Sequence, residues 1–243
     1  MPTDEQSEDV SLSARNADFP GTYASALSED LRSKFEIHSY RNAASILSGS
    51  FPDQLADIVS ALEEFSITKS MIRQPGGSKG PIAKYVDTLF PATWTETRIA
   101  ADLQVRLLDA RKKSSVLSEY VREGYLDGHR IDFLSDRVAL DLEWNSKDQT
   151  YDRDLAAFAA FYEAGAIDVG VILTRGNSLD GDFFRSLGKV LNKDGTEGAK
   201  DVHSKFGAST TWMGKLLYRL DAGRNGGCPI LAIGITQECI SNE

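Results

Sequence analysis

A mixed α/β domain, with one central sheet flanked by helices, follows from three features of the sequence. Two near-continuous apolar runs, 167–174 (IDVGVILT) and 229–236 (PILAIGIT), have the pattern of strands covered on both faces. The stretch 128–145 alternates polar and apolar residues on either side of the two-residue turn Ser135-Asp136, which predicts a hairpin. Between the hairpin and the first run lies an amphipathic helix over 152–163, with Leu155, Phe158, Phe161 and Tyr162 on one face and Gly165 as its stop. Hairpin, helix and buried strand in that order imply a right-handed crossover in a mixed sheet.

Taken in order, residues 1–30 carry Asp4, Glu5, Glu8 and Asp9 among Ser, Thr and Pro, and read as an acidic tail preceding a single domain over 31–243. Residues 34–40 alternate as a short strand, and 42–47 read as helical. Residues 51–65 form the clearest amphipathic helix, with Leu55, Ile58, Val59 and Leu62 spaced i, i+3, i+4, i+7. The glycines and prolines of 74–81 (QPGGSKGP) enforce a loop. Helices are expected over 81–90 and 94–108, the second capped by Thr95, with a polar connection over 111–121. After the first buried run, 180–191 and 210–220 read as helices.

Composition narrows the function classes. The chain has 243 residues, 41% hydrophobic and 26% charged, enough for one domain with a sizeable core. No run approaches the roughly 18 apolar residues of a membrane helix, and the first residues lack a basic, then apolar leader, so a cytoplasmic protein is expected. Cys228 and Cys239 are too few for a disulfide framework and read as reduced core thiols. His38, His129 and His203 show no zinc spacing. A net charge of −9 argues against nonspecific nucleic-acid coating, although a carboxylate-rich metal site with a local basic groove is compatible with it.

The chemistry concentrates in 128–145 (GHRIDFLSDRVALDLEWN). In a strand, Asp141, Glu143 and Asn145 share one face and Leu140, Leu142 and Trp144 the other. Asp132, on the partner strand, can bring a second carboxylate to the same end. Convergent carboxylates offer the hard oxygen ligands that Mg²⁺ prefers, and such a site suits phosphodiester hydrolysis. The competing reading is a solvated polar face of the hairpin. For contacts to nucleic acid, Lys79 stands in the glycine-rich loop, Ser209, Thr210 and Thr211 begin a helix, and Asn192, Lys193, Arg224 and Asn225 lie in polar loops.

Ile131-Asp132 followed after ten residues by Glu143-x-Asn145 resembles the PD-(D/E)xK nuclease motif in the form found in BglII-type restriction endonucleases. The resemblance covers roughly 35–240, including HSYRNAASIL, PGGSKGPIA, RDLAAFAAFYEAGAIDVGVILTR and KFGASTTWMGKL. It implies a restriction-endonuclease-like core and a Mg²⁺-dependent type II enzyme that cuts a specific double-stranded site. Asp132 and Glu143 would hold the metal, joined by the Trp144 carbonyl, and Asn145 would orient the attacking water where the superfamily more often has lysine. Glu96 would be the upstream acid; Asp141 and Lys147 are further candidates. A homodimer acting on a palindromic site, and a companion DNA methyltransferase, are also implied. A nonspecific nuclease, or a DNA-binding protein that has lost catalysis, stays open on the sequence alone.

Overall fold

The computed structural model describes residues 17–75, 79–127 and 129–241. In chain order the elements are α1 (Pro20–Ala24), α2 (Glu29–Lys34), β1 (Phe35–Tyr40), α3 (Ala43–Ser50), α4 (Pro52–Glu64), β2 (Ile67–Thr68), α5 (Lys69–Arg73) and α6 (Pro81–Leu89). Next come β3 (Thr95–Arg98), β4 (Ala101–Asp109), β5 (Ser115–Leu126), β6 (Arg130–Ser135), β7 (Val138–Glu143), α7 (Thr150–Glu163) and β8 (Val169–Arg175). The chain continues through α8 (Gly181–Ser186), β9 (Lys189–Leu191), β10 (Glu197–Asp201), α9 (Met213–Asp221), β11 (Ile230–Ile235) and β12 (Ile240–Ser241).

The central sheet has six strands in the order β1-β11-β8-β7-β6-β3. β7, β8 and β11 run parallel, and the antiparallel strands β1, β6 and β3 complete the edges. β8 and β11 are buried along their whole length, as their unbroken apolar runs require. One face, carrying Val169, Val171 and Leu173, packs on α3, α4 and α6; the other, with Ile172 and Ala232, packs on α7 and α9. Gly170 has no side chain because Phe158 of α7 fills that space: an added Cβ would lie 2.4 Å from the Phe158 ring and 2.8 Å from Ile230. Gly170→Ala is therefore expected to overpack a site that cannot yield and to lower stability by about 1–3 kcal/mol, read as a lower urea midpoint.

Three expected helices change, and the polar connection and the N-terminal arm take definite form. Residues 94–108 are not a helix: β3 and the first strand of a long ribbon, β4–β5, occupy them. Thr95, Thr97 and Val105 favour extended backbone, and Leu103, Val105 and Leu107 repeat every two residues. The polar connection at 111–121 is the ribbon's turn, with Lys113 and Ser114 at positive φ, and the start of β5. The helix expected over 180–191 stops at Ser186; Gly188, at φ 71°, leads into β9. The helix at 210–220 begins only at Met213. Within the expected tail, residues 17–30 dock on the body: Leu27 is buried, and Asp18 accepts hydrogen bonds from Ser39 Oγ (2.6 Å) and the Asn42 amide (2.8 Å). The acidic residues at 4–9 lie outside the described residues. No helix among the described residues is long and apolar enough to cross a membrane.

Candidate active site

The β6–β7 ladder pairs Phe133 with Leu140 and then opens, which brings Asp132 opposite Asp141. There the backbone of each strand bonds a carboxylate of the other. The Asp132 amide donates to Asp141 Oδ1 (2.9 Å), and the Leu142 amide donates to Asp132 Oδ2 (3.0 Å). On the other side of β6, the pairing with β3 shifts register between Thr95 and Thr97, so one residue of β3, Glu96, faces two of β6, Asp132 and Phe133. Such a bulge re-aims side chains. Ile131 consequently packs with α7 while Phe133 packs on the opposite face of the sheet, and Asp132, between them, is left exposed at the open end of the hairpin.

Ala139, Asp141 and Glu143 alternate toward α7, as the strand period dictates. α7 meets them with Asp154, and His129, just before β6, closes the group. His129 Nε2 lies 3.5 Å from Asp141 Oδ2 and 4.0 Å from Asp154 Oδ1. Asp141, Glu143 and Asp154 are 3%, 6% and 1% exposed. Three acids so far from water would normally be paired. Arg153 pairs with Asp154 Oδ1 at 3.0 Å, but Asp141 Oδ2, Glu143 Oε2, Asp154 Oδ2 and His129 Nε2 have no hydrogen-bond partner. Burial, with the charge of Asp154 beside it, pushes Glu143 up to about 9; burial and Asp141 push Asp154 up to about 6. Crowding of its carboxylate by the surrounding chain, and then the charge of Asp141, also raise Asp132 above the usual range, although the residue as a whole still reaches solvent. The strand end is fixed by Thr174, whose hydroxyl donates to the Glu143 carbonyl (2.7 Å) and bonds Tyr151 Oη (2.6 Å). Unpaired hard oxygens converging from two strands and a helix fit a divalent cation.

The sequence model for restriction endonuclease BglII/BglIII matches residues 35–235. The chain belongs to that family. It is thus a restriction endonuclease, a nuclease that hydrolyses DNA. No curated protein matches the chain in sequence.

Against that family identity, the expected site residues separate. Asp132, Asp141 and Glu143 belong to one cluster, with Asp141 between the other two. Asn145 leaves the Glu143 face because β7 ends at Glu143. Its Nδ2 donates to the Lys205 carbonyl (3.1 Å), its buried Oδ1 is unpartnered, and it lines a cavity of about 210 Å³ together with Leu142, Trp144 and Phe206. Glu96 begins no helix. It sits in β3, exposed, with Arg130 Nη1 at 2.9 Å. Lys79 pairs with Asp87 (2.6 Å), which holds its amine above the usual range, with smaller help from Glu96 and Asp132. Gly76, Gly77 and Ser78 of its loop lie outside the described residues.

Thr210 and Thr211 are buried and engaged internally. Thr210 Oγ1 donates to the Gly207 carbonyl (2.8 Å), and Thr211 Oγ1 accepts from the Ser146 amide (3.2 Å). The Ser209 carbonyl accepts from the Asp148 amide (2.9 Å), so this segment braces the chain just after Asn145 rather than capping a helix. Asn192 and Lys193 lie between β9 and β10, where Asn192 Nδ2 bonds Thr196 Oγ1 (3.0 Å). Lys147 bridges to Thr210 through the backbone, Arg224 pairs with Asp152, and Asn225 Nδ2 donates to the Cys228 carbonyl.

Two important residues escaped the sequence reading. Asp154 stands at i relative to Phe158 and Phe161 at i+4 and i+7, so a carboxylate on the apolar stripe of α7 was its available signal. Arg175, 3% exposed at the end of β8, donates through Nε to the Trp144 carbonyl (2.9 Å) and through Nη2 to Thr210 Oγ1 (2.7 Å). Its guanidinium lies 5.3 and 5.0 Å from the ring centroids of Phe184 and Phe206, which stack on each other at 3.8 Å. An arginine ending a buried strand gives no hint in sequence of what it holds.

Proposed function

We propose that this restriction endonuclease uses Mg²⁺ held by Asp132, Asp141 and Glu143 to hydrolyse duplex DNA. The supporting observation is the set of buried, unpartnered carboxylate oxygens on Asp141 and Glu143 beside the exposed Asp132. Bound Mg²⁺ supplies electrostatic stabilisation of the phosphate in the transition state and lowers the pKa of water. Asp132, at the rim, is the carboxylate open to a phosphate from solvent. Glu143, deeper and held above the usual carboxylate range by burial and the charge of Asp154, would hold the cation as its carboxylate, and its second oxygen could accept a proton from the water beside it. Asn145 Oδ1 can accept a hydrogen bond and help orient that water, while Arg175 fixes the adjoining Trp144 peptide and leaves the reacting groups free. Lys79, on which Asp132 has a minor electrostatic influence, is a candidate to meet a phosphate of the bound DNA.

The enzyme acts as a homodimer on a palindromic site, because two copies of one active site related by a two-fold axis cut both strands. It is cytoplasmic and works with a methyltransferase that protects the same sites. Long phage DNA incubated with the protein and either Mg²⁺ or EDTA, then resolved on a gel, tests this reading. Discrete bands in Mg²⁺ and intact DNA in EDTA are expected. A smear, or cutting in EDTA, would contradict it.

A further inference from the structure

His129 contributes to the cluster in a way that the hydrolytic site does not require. Its side chain is 10% exposed, and its ring packs 6.0 Å from that of Phe161, which fixes its orientation. Nε2 faces Asp141 and Asp154 without making a hydrogen bond to either. One ligand atom from each of the three residues can be chosen so that all lie within 4.8 Å of one another. Ligands about 2.1 Å from a common tetrahedral or octahedral centre stand roughly 3–4 Å apart, so the 3.5 and 4.0 Å separations require little movement. An imidazolium that merely neutralised the two acids would donate to one of them at about 2.8 Å. Asp141 Oδ2, Asp154 Oδ2 and His129 Nε2 are all left without a hydrogen-bond partner, while Asp154 Oδ1, the oxygen that faces Nε2 at 4.0 Å, is paired with Arg153. On the α7 side, an open cavity of about 470 Å³, lined by Tyr125, Leu126, His129, Arg153 and Phe161, gives the imidazole its own route to solvent.

We propose that His129, Asp141 and Asp154 form a second cation site, which takes a transition ion of the Mn²⁺ to Zn²⁺ class in preference to Mg²⁺. The donor set decides the class. An imidazole nitrogen with two carboxylates suits first-row transition ions, whereas Mg²⁺ favours oxygen and retains its waters. Asp141 Oδ1 accepts from the Asp132 amide, and its unpartnered Oδ2, which faces His129, is the same oxygen offered to the hydrolytic cation, so Asp141 is shared between the two sites through Oδ2. The inference rests on the hydrolytic reading only through that shared residue. The two carboxylates on α7 and β7 and the imidazole before β6 would then be tied together by the ion, joining three elements at the point where the hairpin ladder opens.

The test uses the full chain without DNA, in excess Mg²⁺, with one equivalent of Mn²⁺ added, and reads the Mn²⁺ by electron spin-echo spectroscopy. Modulation from a directly coordinated ¹⁴N nucleus is expected in the unmodified protein. His129→Gln removes it and weakens Mn²⁺ binding at least about tenfold, and Asp154→Asn weakens binding similarly. Asp132→Asn, which alters the hydrolytic site, keeps the nitrogen signal. Absence of ¹⁴N modulation in the unmodified protein overturns the proposal, a result that needs no variant to fold. Unchanged Mn²⁺ affinity in His129→Gln, or loss of the nitrogen signal in Asp132→Asn, overturns it too. DNA cleavage is not read, so failure here leaves the hydrolytic reading to its own test.

Discussion

Glu143→Gln and Asp132→Asn each lower Mg²⁺-dependent cleavage of a cognate duplex at neutral pH by at least about a thousandfold. At about 1.36 kcal/mol per decade, this corresponds to roughly 4 kcal/mol of transition-state stabilisation, within the several kcal/mol that a metal centre contributes. Both substitutions keep shape and remove the negative charge that each acid carries with a cation bound. Glu143 is 6% exposed and already surrounded by Asp141 and Asp154, so an amide there relieves repulsion and leaves the strand intact. DNA binding, measured by fluorescence anisotropy in Ca²⁺, is therefore retained or tightened, since one negative charge fewer faces the phosphates. Glu96→Gln causes a smaller loss than either, because Glu96 is exposed and paired with Arg130. Mg²⁺-dependent cutting by Glu143→Gln at the unmodified rate would place the metal chemistry elsewhere.

The metal-free protein loses thermal stability as pH rises from about 5 to 8, and Mg²⁺ restores it most at the upper end. An acid that holds its proton more tightly folded than unfolded loses stability over the interval between its two pKa values. For Asp154 that interval runs from 3.8 to about 6; for Glu143 it runs from 4.5 to about 9. The carboxylates with depressed values act in the opposite sense, gaining stability as pH rises, but below this window. They include Asp152, paired with Arg219 and Arg224, and Asp148, paired with Lys215. The slope between pH 5 and 8 consequently reports on the cluster. Of the Asp154 interval only about one unit lies above pH 5, equivalent to about 1.4 kcal/mol, or roughly 3–6 °C in Tm for a chain of this size. A cation binding the ionised acids reverses the loss, by about 2.7 kcal/mol at a hundredfold excess over its Kd. Because binding releases the Glu143 proton, that gain is larger at pH 8 than at pH 5.5. Scanning calorimetry with Mg²⁺ and with EDTA at both pH values measures both effects. Glu143→Gln should flatten the metal-free slope and shrink the Mg²⁺ shift. A Tm insensitive to Mg²⁺ at pH 8 would contradict the assignment.

What the sequence revealed depended on how local the determining physics was. β8 and β11 are buried on both faces and have to be apolar throughout, so their runs could be read directly. The β6–β7 hairpin was equally visible, since its turn and alternation lie within a few residues. The β4–β5 ribbon was not: exposed along most of its length, it mixes Leu103, Leu107 and Tyr120 with charges, and neither period dominates. Asp132 and Glu143 could be proposed as a carboxylate pair from chemistry and spacing alone. Asp154 and His129 join them only because the crossover lays α7 against the end of the hairpin, a contact that depends on sequence-distant packing. Thr210 and Thr211 illustrate the reverse case. Their hydroxyls suggested DNA contacts, yet tertiary pairing with Arg175 and Ser146 consumes them.

The claim underlying all of these results is that the catalytic cation binds between Asp132, Asp141 and Glu143. Replacing Mg²⁺ with Fe²⁺ in the presence of ascorbate and peroxide, and mapping the resulting breaks in the polypeptide, tests this most directly. The account predicts breaks beside Asp132 and within the segment from Asp141 to Glu143, suppressed by excess Mg²⁺. Breaks confined to other parts of the chain, or breaks at these positions that Mg²⁺ does not suppress, would contradict it.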